Sequence, residues 1–139
     1  MDVIDSPLLI GRDHRRTQQF LLFAVAVSIG ASAFSSISLI PGVPFVWQFV
    51  YVLVAVAFGG AMINAYLNDG LFVSTLIAIA LPVGWVLTAI LAIGLGAFGY
   101  NSYVQAGIVL LIITAFSLGG GIGAFIVGAS SRRIVTYMR

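Results

Sequence analysis

The sequence of 139 residues contains no cysteine, no lysine and no glutamate, and it has a single histidine. Without cysteine the chain can form no disulfide, no thiolate metal site and no cysteine nucleophile. Charged residues make up only 7% of the chain, whereas hydrophobic residues make up 61%. Because so few polar side chains cannot cover a water-soluble globule, the composition predicts a membrane protein with the lipid bilayer as its surroundings.

The distribution of charge supports the same interpretation. All six arginines lie near the two ends of the sequence, at positions 12, 15, 16, 132, 133 and 139, directly beside apolar runs. Arginines in such positions are typical of the cytoplasmic flanks of membrane spans. We therefore expect the basic residues to contact the membrane surface, and we expect no nucleic-acid partner.

Four apolar segments cover residues 18–40, 45–67, 71–95 and 103–129. Helices of these lengths would reach about 34 to 40 Å, enough to cross a hydrocarbon core of about 30 Å. Backbone groups in lipid must be hydrogen-bonded within the segment, which favours helices. The sequence predicts an all-α integral membrane protein, in which a single four-helix domain spans residues 18–131.

The connections between the segments are short, at residues 41–44, 68–70 and 96–102. Short connections predict an up-down-up-down bundle. The positions of the arginines place residues 1–17 and the tail 132–139 in the cytoplasm, so the predicted location is the cell membrane with both termini inside.

A cleavable signal peptide is an alternative for the first segment, because Ala31, Ser32 and Ala33 resemble a cleavage site after a basic stretch and an apolar run. The apolar run continues to Ile40, however, and cleavage would leave an odd number of spans. We therefore favour an uncleaved first helix.

Small residues recur at every fourth position in the predicted helices, a spacing that places them on one helix face and lets helices approach closely in lipid. The candidate packing residues are Ser28, Ser32, Ser36, Gly84, Thr88, Gly96, Gly119, Gly120 and Gly123. Internal packing of the bundle explains most of them. The surplus of glycine in the fourth helix suggests contact with a second copy or another membrane protein, and a local kink near Gly120 is the competing explanation.

With an offset of sixty residues, the small residues of the first two helices align with those of the last two. This predicts two tandem helical hairpins related by a pseudo-twofold axis, unless convergent packing explains the pattern.

A proline near the middle of the third helix marks a candidate kink or pocket. Pro82 removes one backbone donor, and the indole N–H of Trp85 requires an acceptor at membrane depth. We expect Thr114 and Ser117 of the fourth helix to lie at a similar depth and to satisfy these groups.

Asp69 is the only charged residue between Thr17 and Ser131. We expect it to form an ion pair of little energetic consequence at the cytoplasmic side, with Arg16, Arg132 or Arg133. Its other predicted role is to cap the third helix from the Asn68-Asp69-Gly70 turn.

No predicted span contains an ionisable residue, and no paired carboxylates or nucleophile-and-base arrangement occurs. We therefore expect neither catalysis nor a cofactor or metal. The predicted function is a structural or accessory membrane subunit that packs with itself or with a larger partner. The alternative is a small oligomeric pore or carrier for a neutral or weakly charged solute.

Overall fold

A computed structural model of the chain describes residues 11–37, 40, 47–94 and 100–138. These residues form four helices: α1 (His14–Ile37), α2 (Trp47–Asn68), α3 (Leu71–Gly94) and α4 (Tyr100–Tyr137). Each helix is long and apolar enough to cross a membrane, in α4 over Leu110–Tyr137. The prediction of an all-helical chain with four such helices is confirmed. The predicted connection at residues 41–44 lies outside the described residues.

Helix α1 begins four residues before the predicted start of the first apolar segment. The carboxylate Oδ1 of Asp13 accepts hydrogen bonds from the backbone N–H groups of Arg15 at 2.9 Å and Arg16 at 3.3 Å. This is the geometry of an N-terminal cap, which satisfies donors that have no partner within the helix. Hydropathy alone placed the start at residue 18, because it does not register a capping side chain.

Helix α4 is 38 residues long and continues to Tyr137, whereas the predicted span ended at residue 129. No glycine or proline follows Gly128, so no residue there breaks the helix. The hydroxyls of Ser131 and Thr136 donate to the carbonyls of Val127 and Arg132 and extend the helical bonding. The two basic residues 132 and 133 are therefore held on a helix.

Helix α3 lies at the centre of the arrangement and packs extensively against α1, α2 and α4. By contrast, α1 touches α2 only slightly. Two equivalent hairpins would give the α1–α2 pair and the α3–α4 pair similar contacts. The α1–α2 and α3–α4 pairs are therefore not equivalent, and the prediction of two hairpins related by a pseudo-twofold axis is wrong for the observed packing.

The core consists mainly of small side chains, while many large apolar side chains face outward. Alanines 24, 31, 57, 61 and 124 are buried together with a few larger residues of α3, among them Ile77 and Leu81. Outside, Leu22 is 70% exposed, Leu111 71% and Phe116 78%. Small residues bring the helix backbones close together, so contacts between helices rely on close packing rather than on burial of large side chains.

Candidate functional site

The turn between α2 and α3 holds the start of α1 through Asn68, whose side chain is fully buried. Its Oδ1 accepts the backbone N–H of Asp13 at 2.8 Å, and its Nδ2 donates to the hydroxyl of Thr17 at 2.8 Å. Its backbone carbonyl accepts the N–H of Arg12 at 2.9 Å. Gly11 passes against this side chain with a φ of 110°, which favours glycine, and a Cβ there would collide with Asn68. Residues 11–13 are thereby fixed over the turn.

Asp69 ends α2 and does not cap α3. Its φ is 54°, in the left-handed region that aspartate tolerates better than most residues, and its N–H bonds to the carbonyl of Ala65 at 3.2 Å. Helix α3 starts from Gly70, whose carbonyl accepts the N–H of Ser74 at 3.0 Å. The predicted cap is therefore wrong, because the backbone conformation of Asp69 directs its side chain away from the α3 amides.

The carboxylate of Asp69 binds two arginines through a single oxygen. Oδ2 lies 2.7 Å from Nη1 of Arg132 and 2.9 Å from Nε of Arg12. The side chain of Asp69 is only 11% exposed, whereas those of Arg132 and Arg12 are 30% and 62% exposed. The pair is therefore less hydrated than expected for charges at a membrane surface, so removal of the Asp69 charge should destabilise the fold more than the loss of an exposed pair would.

Of the three arginines predicted as partners of Asp69, the structure brings only Arg132 to it. Arg16 instead pairs with Asp13 at 3.4 Å and donates to the carbonyl of Leu67 at 3.2 Å. Within the described part of the chain, Arg133 has no carboxylate within 4.0 Å. Sequence reasoning missed Arg12, because its position depends on the backbone contact of residues 11–13 with Asn68.

A cavity of about 770 Å³ lies among α2, α3 and α4 near the middle of the helices. Its wall includes Trp85 and Ser117, two residues predicted for a pocket, together with Phe58 and Phe116. Thr114 is absent from this wall, and its hydroxyl donates to the Leu110 carbonyl of its own helix at 2.7 Å. The prediction that Thr114 satisfies the polar groups near Pro82 and Trp85 is therefore wrong, because its hydroxyl donates to a carbonyl one turn earlier in its own helix.

Helix α3 is continuous from Leu71 to Gly94 through Pro82, which is fully buried. A hydroxyl near the proline comes from α1 rather than from α4, because Ser28 donates to the carbonyl of Ala80 at 2.8 Å. The predicted kink at Pro82 stays a prediction. Sequence reasoning missed Ser28 as a polar partner here and predicted only its packing role.

The contact between α1 and α3 unites four of the predicted packing residues. A Cβ at Gly84 would collide with the backbone carbonyl of Ser28, so only glycine permits this approach. Four residues further along each helix, the hydroxyls of Ser32 and Thr88 lie 3.1 Å apart, and Thr88 also donates to the Ser32 carbonyl at 3.0 Å. Ser36 bonds to its own helix at the Ser32 carbonyl, and Gly96 lies outside the described residues.

The glycines of α4 divide between two faces. A Cβ at Gly120 would collide with the ring of Phe58, and one at Gly121 would lie 3.0 Å from Ala78. Gly128 is similarly close to α2. A methyl group added at Gly119 or Gly123 would instead meet no atom within 4 Å, so their predicted contact with another helix is not found among the described residues. Helical rotation explains the correction, because residues 121 and 128 share one face and residue 119 lies on the opposite one.

A buried pair next to the turn was not recognised from the sequence as a unit. Asn64 donates from Nδ2 to the Gly70 carbonyl at 3.0 Å and to the hydroxyl of Ser74 at 2.9 Å. Ser74 in turn donates to the carbonyl of Ala61 at 3.0 Å. The Oδ1 of Asn64 is buried without a partner. The tight turn, which brings positions 64 and 74 together, was the available signal.

The described residues contain no group of three or more histidine and carboxylate side chains that could hold a metal ion. The polar features that remain are the Asp69 cluster and the hydrogen-bonded helix contacts. Comparisons of the chain with protein-family models, with curated proteins and with solved structures return no match. Its function must therefore be argued from its own geometry.

Proposed function

We propose that this chain is a multi-pass protein of the cell membrane with an up-down-up-down helix bundle. The four long apolar helices and their outward-facing leucine, isoleucine and phenylalanine side chains support insertion into lipid. Ser28 of α1 bonds to Ala80 of α3, and the later residue Ser32 bonds to the later residue Thr88. This order is expected when the first and third spans run in the same direction.

Both termini are proposed to face the cytoplasm. Arg12 precedes α1, Asp69 lies in the α2–α3 turn and Arg132 lies on α4, and the three meet at one end of the bundle. With four spans both termini lie on the same side of the membrane, and basic residues are enriched on the cytoplasmic side. The arginines at this end of the bundle therefore support a cytoplasmic location for both termini.

The function supported best is that of a structural or accessory subunit that packs with itself or with a larger membrane partner. The observation that carries this proposal is an exposed side of α4 next to the cavity of about 770 Å³. Ala115 and Gly119 are exposed there and line that cavity, and a methyl group at Gly119 or Gly123 would meet no atom within 4 Å. Glycine lowers the stability of an isolated helix, so its repeated use on an outward face requires another reason. Close approach of a further helix supplies one.

A second copy of the chain is the favoured partner. The 78% exposed ring of Phe116 projects one helical turn before Gly119, on the same side of α4. In a twofold interface each copy offers the same patch, so a projecting side chain and a neighbouring hollow can complement each other. The alternative, a pore or carrier, has less support. Buried polar side chains such as Asn68, Ser74 and Thr88 are hydrogen-bonded to other groups of the bundle, namely the Thr17 hydroxyl and the carbonyls of Ala61 and Ser32.

Self-association can be tested with leucine substitutions that fill the open space beside Gly119 and Gly123. Gly119→Leu and Gly123→Leu should lower the fraction of dimer measured by crosslinking in vesicles and by light scattering in mild detergent. Gly30→Leu is the matched control, because Gly30 also has open space around it but lies on α1. Unchanged association in both α4 variants, or an equal loss in the control, would contradict the proposed interface.

A further inference from the structure

A basic cavity lies at the end of the bundle that carries the Asp69 cluster. It has a volume of about 620 Å³, and it is formed by the turn, the segment before α1 and the last part of α4. Its charged lining residues are Arg12, Arg132, Arg133 and Asp69. Three guanidinium groups against one carboxylate leave the cavity with a net charge of +2. Such an excess of positive charge favours the binding of an anion.

Asp69 organises this charge instead of cancelling it. Because Arg12 and Arg132 bind the same oxygen of Asp69, the two guanidinium groups are held side by side. Each guanidinium has five N–H donors, and the ion pair uses one nitrogen of each. Arg133 contributes a third group that pairs with no carboxylate among the described residues. A fixed pair of guanidinium groups with free donors matches a tetrahedral phosphate.

The cavity also has an apolar side, which is unusual for a site that binds only a small ion. Phe125 and Ala129 lie on α4 one to two turns before the arginines, and Tyr137 lies on the same helix one turn after Arg133. A smaller neighbouring cavity of about 340 Å³ shares Arg132 and Thr136 and adds Arg16. The basic residues therefore adjoin an apolar strip that leads along α4 toward the middle of the bundle.

We propose that this cavity binds a phosphate group, with the headgroup of an anionic lipid as its occupant. The phosphate would accept hydrogen bonds from Arg12, Arg132 and Arg133, and the first part of an acyl chain would lie against Phe125 and Ala129. The proposal rests on the membrane insertion proposed above, but it does not require self-association.

The test uses the full chain in a neutral detergent. Phosphatidic acid and phosphatidylcholine with the same short acyl chains are titrated separately, and binding is measured by native mass spectrometry and by the rise in melting temperature. We expect phosphatidic acid to bind selectively. Arg133→Gln should weaken that binding about fivefold, since one basic residue near an anionic headgroup contributes about that much. Arg133→Lys, which keeps the charge, should retain part of the binding.

Arg15→Gln is the matched control, because it removes an exposed arginine that does not line the cavity. Equal binding of the two lipids, or the same loss in Arg15→Gln as in Arg133→Gln, would overturn the proposal. Inorganic phosphate forms a separate arm of the experiment. Competition by phosphate at millimolar concentration would assign a free anion and overturn the lipid assignment, whereas its failure to compete supports the headgroup. If Gly119→Leu or Gly123→Leu loses the dimer but still binds phosphatidic acid selectively, the lipid site is independent of the proposed α4 interface.

Discussion

Asp69 and Arg132 lie 63 residues apart in the sequence, yet Oδ2 of Asp69 accepts a hydrogen bond from Nη1 of Arg132 at 2.7 Å. This bond connects the α2–α3 turn to the last part of α4. Arg12 joins the same oxygen from the segment before α1. A single buried carboxylate therefore ties together three parts of the chain, and its removal should loosen all of them.

The first prediction concerns this carboxylate. Asp69→Asn keeps the shape of the side chain but removes its charge, leaving two arginines without their partner. Because the aspartate is nearly buried, we expect a loss of about 1 to 3 kcal/mol in stability. The measurement is thermal unfolding in mild detergent, followed by circular dichroism. Asp13→Asn is the control, since Asp13 is half exposed and asparagine caps a helix equally well. Equal effects of the two changes would contradict the role of burial.

The second prediction concerns the contact of α1 with α3. Gly84→Ala places a methyl group against the Ser28 carbonyl, so the helices must separate or shift. We expect a loss of about 1 to 3 kcal/mol. Gly30→Ala, where the new methyl group meets nothing, should be neutral or slightly stabilising. The two variants are compared by thermal unfolding, and a stability of Gly84→Ala equal to that of Gly30→Ala would show that the contact is not close.

The third prediction concerns the attachment of the α1 start to the turn. Asn68→Ala removes the acceptor of the Asp13 N–H and one hydrogen bond of the Thr17 hydroxyl, at a cost of about 1 to 3 kcal/mol. Limited proteolysis should then cut near residues 11–13 faster than in the unchanged protein. Gln18→Ala, which removes an exposed amide nearby, should leave the cutting rate unchanged. Equal rates in both variants would show that Asn68 does not hold this segment.

The fourth prediction separates the two faces of α4. Gly121→Leu should destabilise the folded chain strongly, because its side chain would enter the contact with Thr75 and Ala78. Gly119→Leu should leave the melting temperature of the monomer unchanged, because its surroundings are open. Unfolding of both variants at a concentration where the protein is monomeric distinguishes the faces. A large loss in Gly119→Leu under those conditions would place residue 119 inside the fold.

The fifth prediction concerns orientation in the membrane. A reporter that is active only in the cytoplasm should work when fused to either end of the full chain, and also when inserted next to Gly70. The same reporter inserted at position 42 should show no activity, because this connection is proposed to lie outside the cell. An inactive reporter at either end of the chain would contradict the proposed topology.

The helical class, the number of long apolar helices and the small-residue stripes of α1 and α3 could be predicted from the sequence, whereas the pairing of these two stripes could not. These features depend on local quantities: the length of apolar runs, and a fourfold spacing that places Ser28 and Ser32 on one face of α1. The sequence also predicted Arg132 as a partner for Asp69, because only a few basic residues were available. The cap by Asp13 was readable in the sequence too, but hydropathy concealed it.

The choice of which small residues form contacts depends on the packing of the whole fold. Gly119 and Gly121 are two positions apart and equally small, but the rotation of α4 against α3 buries one and exposes the other. Likewise, Arg12 reaches Asp69 and Arg16 does not, because Asn68 binds the backbone before α1. Helices α1 and α2 are also consecutive, but α1 packs much more extensively against α3, and hydrogen bonds join it to α2 at one end, at Leu67 and Asn68. Such choices depend on how complete helix surfaces fit together, and the spacing of residues within one helix does not contain that information.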